Sequence, residues 1–325
     1  MASFRDDRMA VLPPSLAVPG LEEMQARFVK FAAGMRRTLY GNTARGRLDF
    51  SAERKAKSLA ESAHERRLRE AGLAPVKAAA RPALIALARE GGRLCGPATE
   101  ADVHSLAAAL HAESAWMREV SAWVMTQMLR HIAAGGRGLA LPPVILAGPP
   151  GIGKSHLARS LARLAGMPVR MIDVGSGSAG FRISGTEKGW GTEQAGIPVE
   201  TMLATRVANP LMIVDEIDKA GTVVSMRGAS TSITISLLQM LEPGTARHFE
   251  CPFHRLPFDM SRVIWIMTAN DVERIPAPLR DRARLFILPK LSAADAVAYF
   301  DRLTEGCAEE ADRKRCRDFI DEMSR

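Results

Sequence analysis

Residues 144–155 read VILAGPPGIGKS. Four apolar residues run directly into a loop of glycines and prolines that ends on a lysine and a hydroxyl, and the chain then continues HLARSLARLAG with apolar residues at helical spacing. Few stretches of this length restrict a fold so tightly. Gly148, Gly151 and Gly153 let the backbone curl so that successive N–H groups face an anion, and the start of the following helix adds partial positive charge. The spacing from Gly148 to Gly153, Lys154 and Ser155 is that of a phosphate-binding loop in the context such a loop requires, after a strand and before a helix. Pro149, Pro150 and Ile152 complete the loop, and His156 follows in the first helical turn. Lys154 is expected to reach the β- and γ-phosphate oxygens of ATP, and Ser155 to ligate Mg²⁺.

The texture on either side of this loop divides the chain. From Pro143 onward, short apolar runs (VILAG, VRMIDV, LMIVDE, VIWIMTAN, LFIL) alternate with helical ones, the pattern of a parallel sheet covered by helices. Before it, Leu21, Met24, Phe28, Phe31, Met35 and Leu39 recur at helical spacing until Gly41, and further helical stretches are expected near 51–71, 82–90 and 99–134. Thr99 and Asp102 are spaced as a capping box for the last of these. The expected fold is α/β: a mostly helical N-terminal region over 1–140, acting as an adaptor for partners, a P-loop sheet core over 141–290, and a short helical tail over 291–325. The boundary is expected near AAGGRGLALPP.

Two further strands carry polar groups to the sheet edge where ligands bind in open α/β sheets. LMIVDE delivers Asp215 and Glu216. Acidic residues after a strand are often only a helix cap, but beside a phosphate loop Asp215 is expected to hold Mg²⁺ through water, and Glu216 to orient and deprotonate the attacking water. VIWIMTAN ends on Asn270, a turn former by default, here expected to position that water or to touch the γ-phosphate. Arg280, Arg282 and Arg284 then precede a last strand, and one of them is expected to stabilise transition-state charge.

Composition narrows the setting. No apolar run approaches the roughly 18 residues of a membrane span, and the N-terminus lacks a signal peptide's apolar stretch; a cytoplasmic protein is expected. The net charge of +8 is concentrated in the first 140 residues. A basic segment meets nucleic acid or an acidic partner, yet between Arg45 and Glu70 the charges are mixed in sign, as on a solvated helix face. No helix-turn-helix signal accompanies them, and the aromatics are scattered. The cysteines (Cys95, Cys251, Cys307, Cys316) form no CxxC pair, so reduced thiols are expected. Cys251 and His254 in CPFH lack a second ligand pair and are read as structural.

From Pro149 to about Leu288 the chain resembles the AAA+ module of the Lon proteases. GPPGIGKS, RISG before a GWG loop, NPLMIVDEIDK, SLLQMLEP, IMTAND and IPAPLRDR occur in that family's order. The resemblance implies a Walker A site at Lys154 and Ser155, a Walker B pair at Asp215 and Glu216, sensor 1 at Asn270 and an arginine finger at Arg282. It implies ATP and Mg²⁺ as cofactors and a homo-oligomer, a six-membered ring, in which the finger serves the neighbouring subunit. The tail from 289 to 325 offers two helices and no obvious sensor-2 motif, so a truncated lid and no peptidase activity are expected. The loop KGWGTEQAG differs in spacing from the usual Lon form. Trp190, between Gly189 and Gly191, stands where Lon-like motors carry an aromatic pore loop, and is expected to grip an extended protein chain; the alternative is a Trp folded into a small local core. The functional expectation is an ATP-hydrolysing remodeller of a protein partner, with a nucleotide-controlled, DNA-associated helper ATPase as the alternative.

Overall fold

The computed structural model of the chain describes residues 7–176, 179–187, 193–220, 233–304 and 310–323. The chain divides into two compact units, one over Ala10–Gly91 and one over Gly92–Arg325 that also takes in the strand Arg8–Met9.

The first unit is helical. α1 (Leu21–Tyr40) and α2 (Phe50–Glu70) pack along one another, and α3 (Arg81–Glu90) follows. Two of the termini are written plainly in the sequence. Gly41 closes α1 at φ 65°, and the Asp49 carboxylate caps α2 by accepting from the Ala52 N–H at 2.7 Å. Beside Arg36, that carboxyl is held below its ordinary pKa.

The second unit is built on five parallel strands: β1 (Val144–Ala147), β2 (Val169–Asp173), β3 (Leu211–Asp215), β4 (Ile264–Ala269) and β5 (Arg284–Ile287), in the order β2-β3-β4-β1-β5. Every residue of β1 and β4 is buried. A parallel sheet covered on both faces needs such continuous apolar runs. Register brings Ala147 beside Ala269 and Asp173 beside Asp215, so the strands end level at one edge.

The expected boundary near residue 140 is not where the contacts thin. α4 (Glu100–Glu113) and α5 (Arg118–Ala133) belong to the sheet unit. Val103, Leu106 and Leu110 from α4 and Val120, Val124 and Met128 from α5 form one buried cluster with Leu146, Ile213, Ile266, Leu157 and Leu161. AAGGRGLALPP is a fold-back held by buried Leu139 rather than a linker: Gly138, at φ 69°, donates to the Pro97 carbonyl, and Leu139 donates to that of Cys95. Asn209, fully buried, clamps the same place. Its amide donates to the carbonyls of Cys95 (2.8 Å) and Leu139 (3.0 Å) and accepts from the Cys95 N–H (2.9 Å).

Residues 99–134 also differ from the single helical stretch expected. The capping box of Thr99 and Asp102 is present, but Ser114, at φ −146° and ψ 59°, leaves the helical region, and a tight turn over Ala115–Met117 separates α4 from α5. No glycine or proline marks the break. It serves packing, since α4 and α5 lie against each other and bury apolar faces in the same core.

Candidate nucleotide-binding site

The phosphate loop leaves β1 at Ala147 through three glycines in the positive-φ region: Gly148 (155°), Gly151 (80°) and Gly153 (93°). A Cβ on Gly148 would lie 2.6 Å from the Leu288 carbonyl oxygen, so only glycine fits. α6 (Lys154–Leu164) begins with Gly153 at its cap and no side-chain hydrogen bond there, unlike α4. The first-turn N–H groups of α6 are therefore left for an anion.

Lys154 is the first residue of α6, and although charged it is buried. Its Nζ donates to the carbonyls of Gly148 (2.7 Å) and Pro149 (2.8 Å) and to Asn270 Oδ1 (3.0 Å). Burial pushes its pKa below the usual lysine value, against the pull of the Asp215, Asp218 and Glu216 carboxylates. Ser155 Oγ donates to Asp215 Oδ1 at 3.1 Å. His156 is exposed, with its ring centroid 6.2 Å from that of Tyr299.

β3 and β4 supply the acidic side. Thr268 Oγ1 donates to the same Asp215 oxygen and accepts from the Glu216 N–H at 3.2 Å. Glu216 follows the strand at φ 59° and ψ 47°, a left-handed conformation rare for a residue with a side chain. Its carboxylate accepts from Lys219 Nζ at 2.7 Å. Asp218 Oδ2 accepts from the backbone N–H groups of Asn270 and Asp271, both at 3.2 Å, which fixes the turn carrying Asn270.

The structure thus brings Gly148–Ser155, Asp215, Glu216 and Asn270 to one edge of the sheet. Their donor set suits Mg²⁺–ATP. A buried ammonium, an uncapped helix start and a loop of three positive-φ glycines favour phosphate, and the hydroxyl of Ser155 beside the Asp215 carboxylate is a hard-oxygen pair of the kind that would suit Mg²⁺ alongside water and phosphate.

Arg282 is not brought to this edge. Its guanidinium donates to the Pro278 carbonyl at 3.2 Å, lies 3.8 Å from Glu242, and lines a cavity with Pro143 and Ile264, which stand at the opposite ends of β1 and β4 from the phosphate loop. Trp190, with Gly189 and Gly191, lies outside the described residues. Cys251 and His254 are buried in the hairpin of Phe249–Cys251 and Leu256–Phe258, where the His254 ring stacks near Phe253 and Phe258.

Two residues at the site were missed from the sequence. Thr268 is legible only as a lone hydroxyl in an otherwise apolar strand. Trp116, from the turn between α4 and α5, donates its indole N–H to the Ile152 carbonyl at 2.9 Å and lies 3.4 Å from where a Cβ on Gly153 would be. On its other side stands Tyr299 of the helix Ala293–Thr304, ring centroids 5.2 Å apart and edge-on. Arg302 of that helix donates to the carbonyls of Ala112 (2.6 Å) and Glu113 (3.0 Å). The same helix is joined to the last one, Glu310–Met323, by Asp301, which accepts from Arg317 at 2.6 Å.

Residues 144–291 match the family model described as the ATPase family associated with various cellular activities (AAA). The chain is 35% identical over 148 residues to the Lon protease of Desulfovibrio desulfuricans, covering 46% of this chain and 16% of that protein. It is 36% identical over 177 residues to the mitochondrial Lon protease homolog of Phaeodactylum tricornutum, covering 54% and 20%. Against the mitochondrial Lon protease homolog of Mus musculus it is 33% identical over 155 residues, covering 48% and 16%. The aligned segment thus spans a fifth or less of the length of these curated relatives.

Proposed function

We propose, from the premise that residues 144–291 are an AAA domain similar to the ATPase region of Lon proteases, that this chain is a Mg²⁺-dependent ATP hydrolase that remodels a protein partner. The observation that carries the reading is the convergence of Lys154, Ser155, Asp215, Glu216 and Asn270 on one sheet edge, tied by Lys154–Asn270 and Ser155–Asp215 hydrogen bonds.

Each residue has a task that its position supports. The loop N–H groups and Lys154 hold the phosphates; Ser155 and Asp215 hold the metal. Bound Mg²⁺ would supply countercharge for the phosphoryl group in transfer. Glu216 takes the proton of the attacking water, and for this it must leave Lys219. Asn270, braced by Asp218, orients that water. Thr268 holds Asp215 and Glu216 at a fixed separation from one hydroxyl.

Arg282, at the far end of the strands from its own phosphate loop, is assigned to the nucleotide of a neighbouring copy in a ring, and Trp190 to gripping the partner chain. The peptidase activity named for the Lon relatives is not assigned to this segment, whose similarity lies in the AAA region. No helix among the described residues is long and apolar enough to cross a membrane.

The test is the ATPase rate of the purified chain with and without an unfolded protein such as casein, and with and without duplex DNA. Stimulation by protein alone is expected. Stimulation by DNA alone would replace the remodeller with the DNA-associated reading.

A further inference from the structure

The two long helices of the first unit carry their apolar residues the wrong way round. At their seam α2 buries Ala56 and Ala60, while α1 buries only Met24, near its start. Three large apolar side chains in the second half of α1 face solvent, whereas Phe28 is half-buried: Phe31 is 69% exposed, Met35 49% and Leu39 66%. Spaced by four, they stand one above another along a single stripe. Scattered exposed apolar residues need no explanation, but a continuous row of large ones marks an interaction surface.

Gly34 is a second, independent observation. It sits inside α1 beside this row, exposed, with ordinary negative φ and nothing within 4 Å of the position a Cβ would take. A glycine inside a helix weakens it relative to alanine, and nothing in the described unit calls for it. What it permits is close approach of another backbone. On the same flank as Gly34 lie Lys30 and Arg37, both exposed, and neither has an acidic partner among the described residues.

We infer that this face of α1 docks an acidic amphipathic helix of a protein partner, its apolar row on Phe31, Met35 and Leu39, its backbone passing over Gly34 and its carboxylates meeting Lys30 and Arg37. Charge argues against a second copy of the chain. Antiparallel pairing of two α1 helices sets the cationic flank against itself, and parallel pairing in register brings Arg37 of each copy to the same end of the pair. An anionic bilayer would accept the charges and the apolar row but would make no use of Gly34. The inference stands independently of the ATPase reading.

The test titrates the full chain with two fluorescent synthetic helices that share one leucine row, flanked by glutamates in one and by lysines in the other. The glutamate helix should bind in the micromolar range and the lysine helix at least tenfold more weakly. Gly34→Leu and Leu39→Ser should each weaken the glutamate helix tenfold or more with the ATPase rate unchanged. Gly34→Leu should also raise rather than lower the melting temperature, which separates lost docking from lost folding. Equal affinity for the two helices, no binding of the glutamate helix, or binding indifferent to Gly34→Leu would overturn the inference. So would flotation with phosphatidylserine vesicles in place of peptide binding, or a dimer in sedimentation that Leu39→Ser dissolves.

Discussion

The Lys154 ammonium lies 3.0 Å from Asn270 Oδ1, joining the phosphate loop to the end of a strand 116 residues further along the chain. A phosphate taken up by the loop competes for that ammonium with Asn270 and with the carbonyls of Gly148 and Pro149. On the proposed function, binding and the readiness of Asn270 to orient water would be linked through one proton donor.

Separate losses should follow from separate residues. Lys154→Ala should abolish ATP binding, measured with a fluorescent analogue. Glu216→Gln should bind as wild type yet lose turnover by about 10²-fold or more, the scale of a missing general base. Equal phosphate release from Glu216→Gln and wild type would sink the assignment of the base.

Thr268→Val should damage both folding and turnover. It leaves the part-buried Glu216 N–H without its acceptor at a residue already in a left-handed conformation, a loss on the order of 1 kcal/mol. Thr268→Ser should recover most of both. A thermal melt beside a turnover assay decides, and a valine variant that is wild type in both would show the hydroxyl to be idle.

Asn209→Ala should be strongly destabilising without touching the nucleotide. It removes three hydrogen bonds that tie Cys95 and Leu139 to the start of β3, and truncating a buried network of this kind costs several times the roughly 1 kcal/mol of an ordinary bond. At about 2–4 °C per kcal/mol for a unit of this size, the melting temperature should fall by roughly 6 °C or more. A shift of under about 2 °C would mean that packing alone holds 92–140 to the sheet.

Arg282→Ala and Lys154→Ala chains, each expected to be inactive alone, should recover part of the ATPase rate when mixed, because the first retains an intact phosphate loop and the second an intact finger. Against Glu242 alone, an exposed ion pair, Arg282 is worth at most about 1 kcal/mol of stability. No recovery on mixing, with a monomer in sedimentation at saturating ATP, would remove the ring from the reading.

What the sequence determined by itself is local and periodic. The loop GPPGIGKS, the runs ending in Asp215 and Asn270, and the caps at Gly41 and Thr99 each declare their conformation within a few residues, because glycine dihedrals, apolar periodicity and capping act at short range. The AAA likeness was legible from these motifs. The tertiary structure alone decided what distance in the chain conceals. Burial is a property of assembled surfaces, so helices that read as a separate adaptor, α4 and α5, prove to share the core of the sheet, and the break falls at Gly91 instead of near 140. Thr268 and Trp116 carry no motif. Thr268 matters because parallel register sets it beside Asp215, and Trp116 because the turn between α4 and α5 brings its indole to the Ile152 carbonyl. Neither neighbour can be found by spacing, since both contacts exist only once strands and helices have packed.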